Sequence, residues 1–170
     1  MATIFRFRVH RLCLILSLLF STVGCDQVTK LVARDTLSST RMEFLGGVIR
    51  LEHAENSGAF MNFGEHFSES LRFWIFTFGV AVCLSLSLGV LWKKTQLDKW
   101  NTIALTLVVA GGFGNLIDRA VKGSVTDFFN LGIGWFRTGI FNLADVAVML
   151  GAAILLLKTI HGNRQNKTIS

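Results

Sequence analysis

The run FWIFTFGVAVCLSLSLGVLW, Phe73 to Trp92, carries no charge in any of its 20 positions. A hydrocarbon core about 30 Å thick is crossed by about 20 mostly apolar residues in helical form, because the helix satisfies its own backbone polar groups where water is absent. This run meets that length without interruption and reads as a membrane span. Three other segments pass the same test. One begins at Leu12, stays uncharged to Cys25 and continues less cleanly through Val28, Leu31 and Val32. Another runs from Trp100 to Ile117 and ends at Asp118 and Arg119. The last runs from Thr138 to Leu157 with a single charge, Asp145. The expected fold is an all-α polytopic membrane protein, one membrane-embedded domain over residues 1–170, with spans near 12–32, 73–92, 100–118 and 138–157.

Composition agrees with a chain whose solvent is largely lipid. Only 16% of the residues are charged, against roughly 25% in soluble domains. There are 15 Phe and 4 Trp but no Tyr and no Pro. The net charge of +6 does not point to nucleic acid, because its cations do not interleave with aromatics along one face. They cluster between the apolar runs instead: Arg6, Arg8 and Arg11; then Lys93, Lys94 and Lys99; then Lys158, Arg164 and Lys167. All three clusters fall on one side of a four-span chain, which the positive-inside rule makes cytoplasmic, with both termini. The opposite side receives residues 33–71 and 119–137, and the first of these holds 6 acids against 3 arginines. Within it, RMEFLGGVIRLEHAENSGAFMNF has a Gly-Gly flanked by alternating residues, and reads as a hairpin or small sheet at the membrane surface. A polar, helical stretch is expected to follow up to Arg72.

The stretch FSTVGCDQVTK, Phe20 to Lys30, looks like the cleavage region of a lipoprotein leader centred on Cys25. Thr22 stands where such a leader has an aliphatic residue, the apolar segment continues past the cysteine, and three more spans follow. The expectation is an anchor, not a leader, with Cys25 an ordinary residue of the first helix. Cys13, Cys25 and Cys83 form no even-numbered framework and no C-x-x-C, so no disulfide scaffold is expected, and Cys13 and Cys83 read as packing residues.

Polar residues inside spans carry the chemical information, since an ionisable group at the bilayer centre costs at least about 2.5 kcal/mol. Asp26 and Lys30, four apart, share a helix face as an ion pair, or alternatively end the first helix at the interface. In VVAGGFGNLIDRA, Gly111, Asn115 and Asp118 or Arg119 lie along one face. The glycines suit close helix packing, whereas the Asn115 amide needs partners in lipid. No Gly-Lys-Ser/Thr follows, so the run is not a phosphate loop. In GIFNLADVAVML, Asn142 and Asp145 share a face about two turns in from the outer end. Asp127, in SVTDFFN, lies in the outer connection among apolar neighbours. If that connection folds onto the mouth of the last span, two carboxyls meet and share one proton, because like charges in a low-dielectric site do not both ionise. Such a pair suits an aspartyl hydrolase, and equally a proton or ion relay in a small transporter or channel. Metal and nucleophile readings are weaker. His53 and Glu55 lack a third ligand, His10, His66 and His161 are scattered, and Ser57 has no histidine placed as its base.

Five blocks then occur in order: DQVTK (Asp26 to Lys30), NSGAF (Asn56 to Phe60), GGFGNLIDR (Gly111 to Arg119), TDFF (Thr126 to Phe129) and FNLAD (Phe141 to Asp145). In these blocks and over nearly its whole length the chain resembles the bacterial lipoprotein signal peptidases, or signal peptidase II. The resemblance implies an intramembrane aspartyl endopeptidase with an Asp127–Asp145 dyad. It would cut prolipoproteins immediately before their diacylglyceryl-modified cysteine, in the bacterial inner membrane and near its outer leaflet. It also implies that Asn56, Gly58, Asn115, Arg119 and Asn142 line the site, that Asp26 and Lys30 brace the first span, and that Asp118 supports Arg119. Gly111 and Ala144, inside the matching blocks, count among the supporting positions. Residues 42–63 would form a small extracytoplasmic sheet cradling substrate, with a short mobile periplasmic helix closing the mouth. Thr126 departs from the aliphatic residue common before the first acid. Neither metal nor organic cofactor nor nucleic acid is expected. Membrane lipid surrounds the chain, and a single copy of each motif suffices for a monomer.

Overall fold

The uncharged run from Phe73 to Trp92 lies within one long helix, and three others accompany it in the computed structural model, which describes residues 2–58, 64, 66–93 and 97–168, with side chains between residues 8 and 161. The helices are α1 (Ala2–Thr36), α2 (Glu69–Lys93), α3 (Lys99–Lys122) and α4 (Leu143–Thr168). All four are long and apolar enough to cross a membrane. α3 is the central one: 44% of its apolar window is buried inside the protein, against 6–17% for the others. Its largest interface is with α4, followed by α1 and then α2.

Small residues make that packing close. A Cβ on Gly111 would stand 2.3 Å from the Ala144 carbonyl oxygen, and one on Gly114 would stand 2.6 Å from Asp26 Oδ2. Only glycine lets α3 approach both neighbours at these points. The surface is correspondingly apolar, with Phe20, Leu86, Trp92 and Val121 all largely exposed, while Asp26, Lys30 and Asp118 are buried. This inversion is what a hydrocarbon solvent selects.

A four-stranded antiparallel sheet sits at one end of the bundle, in the order β1 (Met42–Phe44), β2 (Ile49–Asn56), β3 (Val125–Ile133), β4 (Phe136–Arg137). The first hairpin turns through Leu45, Gly46 and Gly47, all at positive φ, which explains the Gly-Gly pair. β2 pairs with β3 from Ile49↔Leu131 to Asn56↔Val125, with a bulge between Leu51 and Ala54. Phe128 packs with Ala33 and Leu37, seating the sheet on the end of α1.

Several boundaries differ from the sequence expectation, each for a physical reason. α1 continues to Thr36 rather than ending near residue 32, because Arg34 finds an acidic partner inside the protein. α3 continues past Asp118 to Lys122, and is closed by Gly123 at φ 78, whose N–H donates to the Arg119 carbonyl at 3.0 Å. The residues from 138 to 142 are not helical, so α4 begins at Leu143 and Asp145 lies in its first turn, not two turns in. The outer connection 119–137 is not a simple loop but contains β3 and β4. The short outer helix expected before the second span is found as the polar turn Glu69–Arg72, capped by the Ser68 side chain and continuous with a π-helical stretch, Phe73–Gly79. Residues 59–63, the end of the expected cradle, of which 59 and 60 close the NSGAF block, lie outside the described residues, as do residue 65 and Lys94. Cys13 and Cys83 are exposed on the helix surface, facing the lipid rather than packing in the interior.

Candidate active site

The start of α4 organises the site. Asn142 precedes the helix, and its side-chain oxygen accepts the Asp145 N–H at 2.9 Å, while Asp145 Oδ2 accepts the Asn142 N–H at 3.2 Å. This reciprocal pair is a capping box, which satisfies two backbone donors the helix leaves open. The box fixes the Asp145 carboxylate at the helix mouth, and Asn115 of α3 donates to its other oxygen at 2.8 Å.

Asp127 reaches the same point from β3. The Asn142 amide donates to Asp127 Oδ1 at 2.7 Å, and Asn56 of β2 donates to Oδ2 at 3.0 Å. Asn142 is itself fully buried and also donates to Asn115 Oδ1 at 3.0 Å. The two acids expected to approach therefore flank one asparagine, each held by a second. Burial pushes the Asp127 carboxyl up to about 6, with the Asp145 charge adding to the rise against the hydrogen bonds from Asn56 and Asn142.

A second layer, fully buried, lies behind the first. Lys30 Nζ is 2.8 Å from Asp26 and 3.1 Å from Asp118, and it donates to Asn115 Oδ1 at 2.9 Å. Asp26 in turn accepts the Ala144 N–H at 2.9 Å, tying α1 to the first turn of α4. Asp26 and Lys30 thus form the expected ion pair within the helix, not at its end. Asp118 is a correction: its carboxylate faces Lys30 and Arg34 and accepts the Thr126 N–H at 3.2 Å. The expected partner, Arg119, one residue on, points to another face of α3 and donates to the Gly58 carbonyl at 2.7 Å. The Gly58 N–H donates to Asn56 Oδ1 at 3.0 Å, so the end of β2 is held to both the Asp127 shell and Arg119.

Two residues here, Arg34 and Gln27, escaped sequence reasoning, and Thr126 stood out in the sequence only as a departure from an aliphatic. Arg34 continues the Asp26–Lys30 face by another four residues, a spacing visible in the chain once the helix is allowed to extend. Gln27 donates to the Gly114 carbonyl at 3.0 Å across the α1–α3 contact. Thr126 is a hub: its hydroxyl accepts from Arg34 Nε at 2.8 Å and Lys122 Nζ at 2.5 Å, and donates to Glu55 at 2.9 Å. An aliphatic residue there would make none of these bonds. Although burial pushes Glu55 up, hydrogen bonds from Ser124 and Thr126 and the Lys122 charge prevail, so its carboxyl lies below the ordinary range.

Two cavities meet at Arg119. One of about 300 Å³ runs between α2, α3 and α4, with Leu84, Val108, Gly112 and Val148 as its apolar walls and Asn115, Arg119 and Asp145 at its polar end. The other, about 390 Å³, is polar and opens among Arg72, Phe76, Arg119 and Lys122. Arg119 Nε is buried and makes no hydrogen bond among the described residues.

Four apolar helices around a buried polar core, a surface sheet and paired carboxyls at a helix mouth define an integral membrane protein with a hydrolase-like centre. The profile of the signal peptidase (SPase) II family matches residues 18–161, and the chain belongs to that family. It is a peptidase of a bacterial inner membrane. It is 33% identical over 136 residues to a lipoprotein signal peptidase of Vibrio cholerae, covering 78% of each chain. It is 34% identical over 120 residues to the lipoprotein signal peptidase of Escherichia coli K12, covering 70% of this chain and 72% of that one. Among solved structures, a bacterial membrane enzyme determined at 2.3 Å superposes with a TM-score of 0.77 at 25% identity, over 88% of each chain.

Proposed function

We propose that this chain is an aspartyl endopeptidase that removes the signal peptide from prolipoproteins, cutting before the diacylglyceryl-modified cysteine, with Asp127 and Asp145 as its catalytic dyad. One observation carries the reading: Asn142 hydrogen-bonds to both carboxylates through its amide and its backbone N–H. The two acids thereby share one site in which a single proton is the stable occupancy. We assign that proton to Asp127, whose carboxyl burial raises to about 6. Asp145 takes a proton from water as the water oxygen attacks the scissile carbonyl carbon, and Asp127 donates to the developing oxyanion. The C–N bond then breaks as the nitrogen receives a proton from the dyad, leaving the signal peptide as a carboxylate and the lipidated cysteine as a free amine.

The apolar groove along Leu84, Val108 and Val148 suits a signal peptide entering from the lipid, with the Arg119 Nε available to a substrate backbone carbonyl. Asn56, Asn115 and Asn142 orient the carboxyls, while Asp26, Lys30, Gly111, Asp118 and Ala144 hold the helices that carry them. The unit is one membrane-embedded domain, complete as a monomer and surrounded by membrane lipid, without cofactor or nucleic acid. Its termini face the cytoplasm and the dyad lies near the outer leaflet, in keeping with the basic clusters at one end of the bundle. The test is cleavage of a purified diacylated prolipoprotein by Asp127→Asn and Asp145→Asn variants that elute like wild type and unfold cooperatively at no lower temperature. Each is expected to lose at least about 10³-fold in rate, in line with loss of a general acid or base. Cleavage at near wild-type rate by both variants would overturn the dyad.

A further inference from the structure

At the opposite end of the bundle from the sheet, a cavity of about 380 Å³ opens between α1 and the start of α3. Leu14, Leu97 and Thr102 give it an apolar wall, and His10, Arg11 and Lys99 stand at its rim. Arg11 donates through Nη2 to the Leu91 carbonyl at 2.9 Å, near the C-terminal end of α2, where a cation is favoured. Its Nε, in contrast, is buried and makes no hydrogen bond among the described residues. A buried guanidinium donor left without an acceptor costs free energy, and an anionic oxygen beside it removes that cost.

Asp98, the one acid among the described lining residues, does not cancel the rim. Asp98 is held by Lys158 Nζ at 2.6 Å and accepts the backbone N–H groups of Trp100 and Asn101 at 2.9 and 3.1 Å. These contacts also hold its carboxyl below the ordinary range, the Lys158 bond first. Asp98 is thus answered by Lys158, which does not line the cavity. Trp100, exposed and next to Lys99 in the chain, adds the aromatic character of a headgroup-level position.

We infer that this cavity binds an anionic phospholipid, its phosphate between Arg11 and Lys99 and the upper part of an acyl chain along Leu14, Leu97 and Thr102. Basic pockets between membrane helices with an apolar floor suit that amphipathic ligand, and a soluble anion uses only half of the lining. The site lies at the far end of the molecule from the dyad and does not depend on the peptidase reading. In the orientation proposed above, it faces the cytoplasmic leaflet.

The test is native mass spectrometry of the full chain released from micelles containing phosphatidylglycerol or phosphatidylcholine of the same acyl composition, or glycerol 3-phosphate alone. Phosphatidylglycerol is expected to give the dominant adduct. Lys99→Gln should weaken it about fivefold, as expected for one cation near an anionic headgroup. Arg11→Gln should weaken it at least as much, and Leu14→Trp, which fills the apolar floor without touching a charge, should remove it. Prolipoprotein cleavage in detergent should be unchanged in Lys99→Gln, because the site is remote from the dyad. Because Arg11 also ties α1 to α2, Lys99→Gln and Leu14→Trp decide the matter: wild-type adducts in both would overturn the site. Equal phosphatidylcholine adducts, or equal binding of glycerol 3-phosphate, would overturn the anionic lipid as its ligand.

Discussion

Asn142 stands between the two carboxylates, closing the cap of α4 with one end of its side chain and holding Asp127 with the other. Asn142→Ala removes both, so it should lose about 10²-fold in cleavage rate and about 1 kcal/mol of stability, the usual worth of an N-cap side chain. Substrate titration of the purified variant should show the loss in kcat; a variant with unchanged kcat and cap-sized instability alone would reduce Asn142 to a structural residue. Asp127 makes a second prediction, on pH. Its carboxyl is raised by burial from 3.8 to about 6, so the folded protein holds the proton more tightly than the unfolded chain. The stability this contributes is fully present below about pH 3.8 and is lost as pH rises through about 6, where ionising the buried group costs up to about 3 kcal/mol. Asp127→Asn escapes that cost, so its stability relative to wild type should grow from about pH 4 to about pH 6 and then level off. Thermal unfolding in micelles across that range reads the difference directly, and a difference that stays flat or reverses contradicts the raised carboxyl. In catalysis the same ionisation should give a descending limb in kcat/KM near pH 6, because loss of the shared proton leaves no acid in the dyad.

Asp26, Lys30 and Arg34 turn one face of α1 into a charged spine, and Asp118 of α3 answers the last two. Lys30 is wholly buried between two carboxylates. Lys30→Met leaves Asp26 without its cation, Asp118 keeping Arg34, and should cost about 3–5 kcal/mol, as breaking a buried pair does, whereas Lys30→Met with Asp26→Asn should recover most of the loss. Thermal unfolding of the single and double variants checks this; a double variant no more stable than the single would show that packing, not charge, holds the spine. This element also marks how far the chain can be read by eye. The Asp26–Lys30 pair was legible from its four-residue spacing, but Arg34 was not, because its acid lies 84 residues away and only a folded partner makes a charge there tolerable. Asp127 was legible as an acid among apolar neighbours, yet not as a strand residue, since β3 is defined by pairing with β2 across a gap that contains two spans. The N-L-A-D cap of α4 was present in the letters, but a charge inside an apolar run reads first as an intrusion into lipid and only second as a helix start. The same misreading placed Asp145 two turns too deep.

At the scale of the whole molecule the solvent decides: apolar residues cover the helices while ions fill the centre, and length, hydropathy and charge were enough to read four spans from the sequence. The paired carboxyls needed the fold, because Asp127 stands on a strand and Asp145 at a helix mouth, and only their shared contact with Asn142 brings them together. Orientation follows from where the cations lie. His10, Arg11, Lys99 and Lys158 gather at the end of the bundle away from the sheet, and anionic lipid together with the insertion machinery retains such clusters on the cytoplasmic side. In the proposed orientation the sheet, with exposed Leu45 at the tip of its first hairpin, faces the periplasm. In a chain whose cysteines are replaced by serine, a membrane-impermeant maleimide should label Leu45→Cys in intact spheroplasts and His161→Cys only after permeabilisation. Cys13, Cys25 and Cys83 are all exposed on helix surfaces and make no disulfide, so their replacement should leave cleavage within about twofold of wild type, the small effect usual for exposed positions. The reverse labelling pattern would put the dyad at the cytoplasmic leaflet, where a translocated lipoprotein precursor could not present its cleavage site, and would sink the proposed substrate along with the orientation.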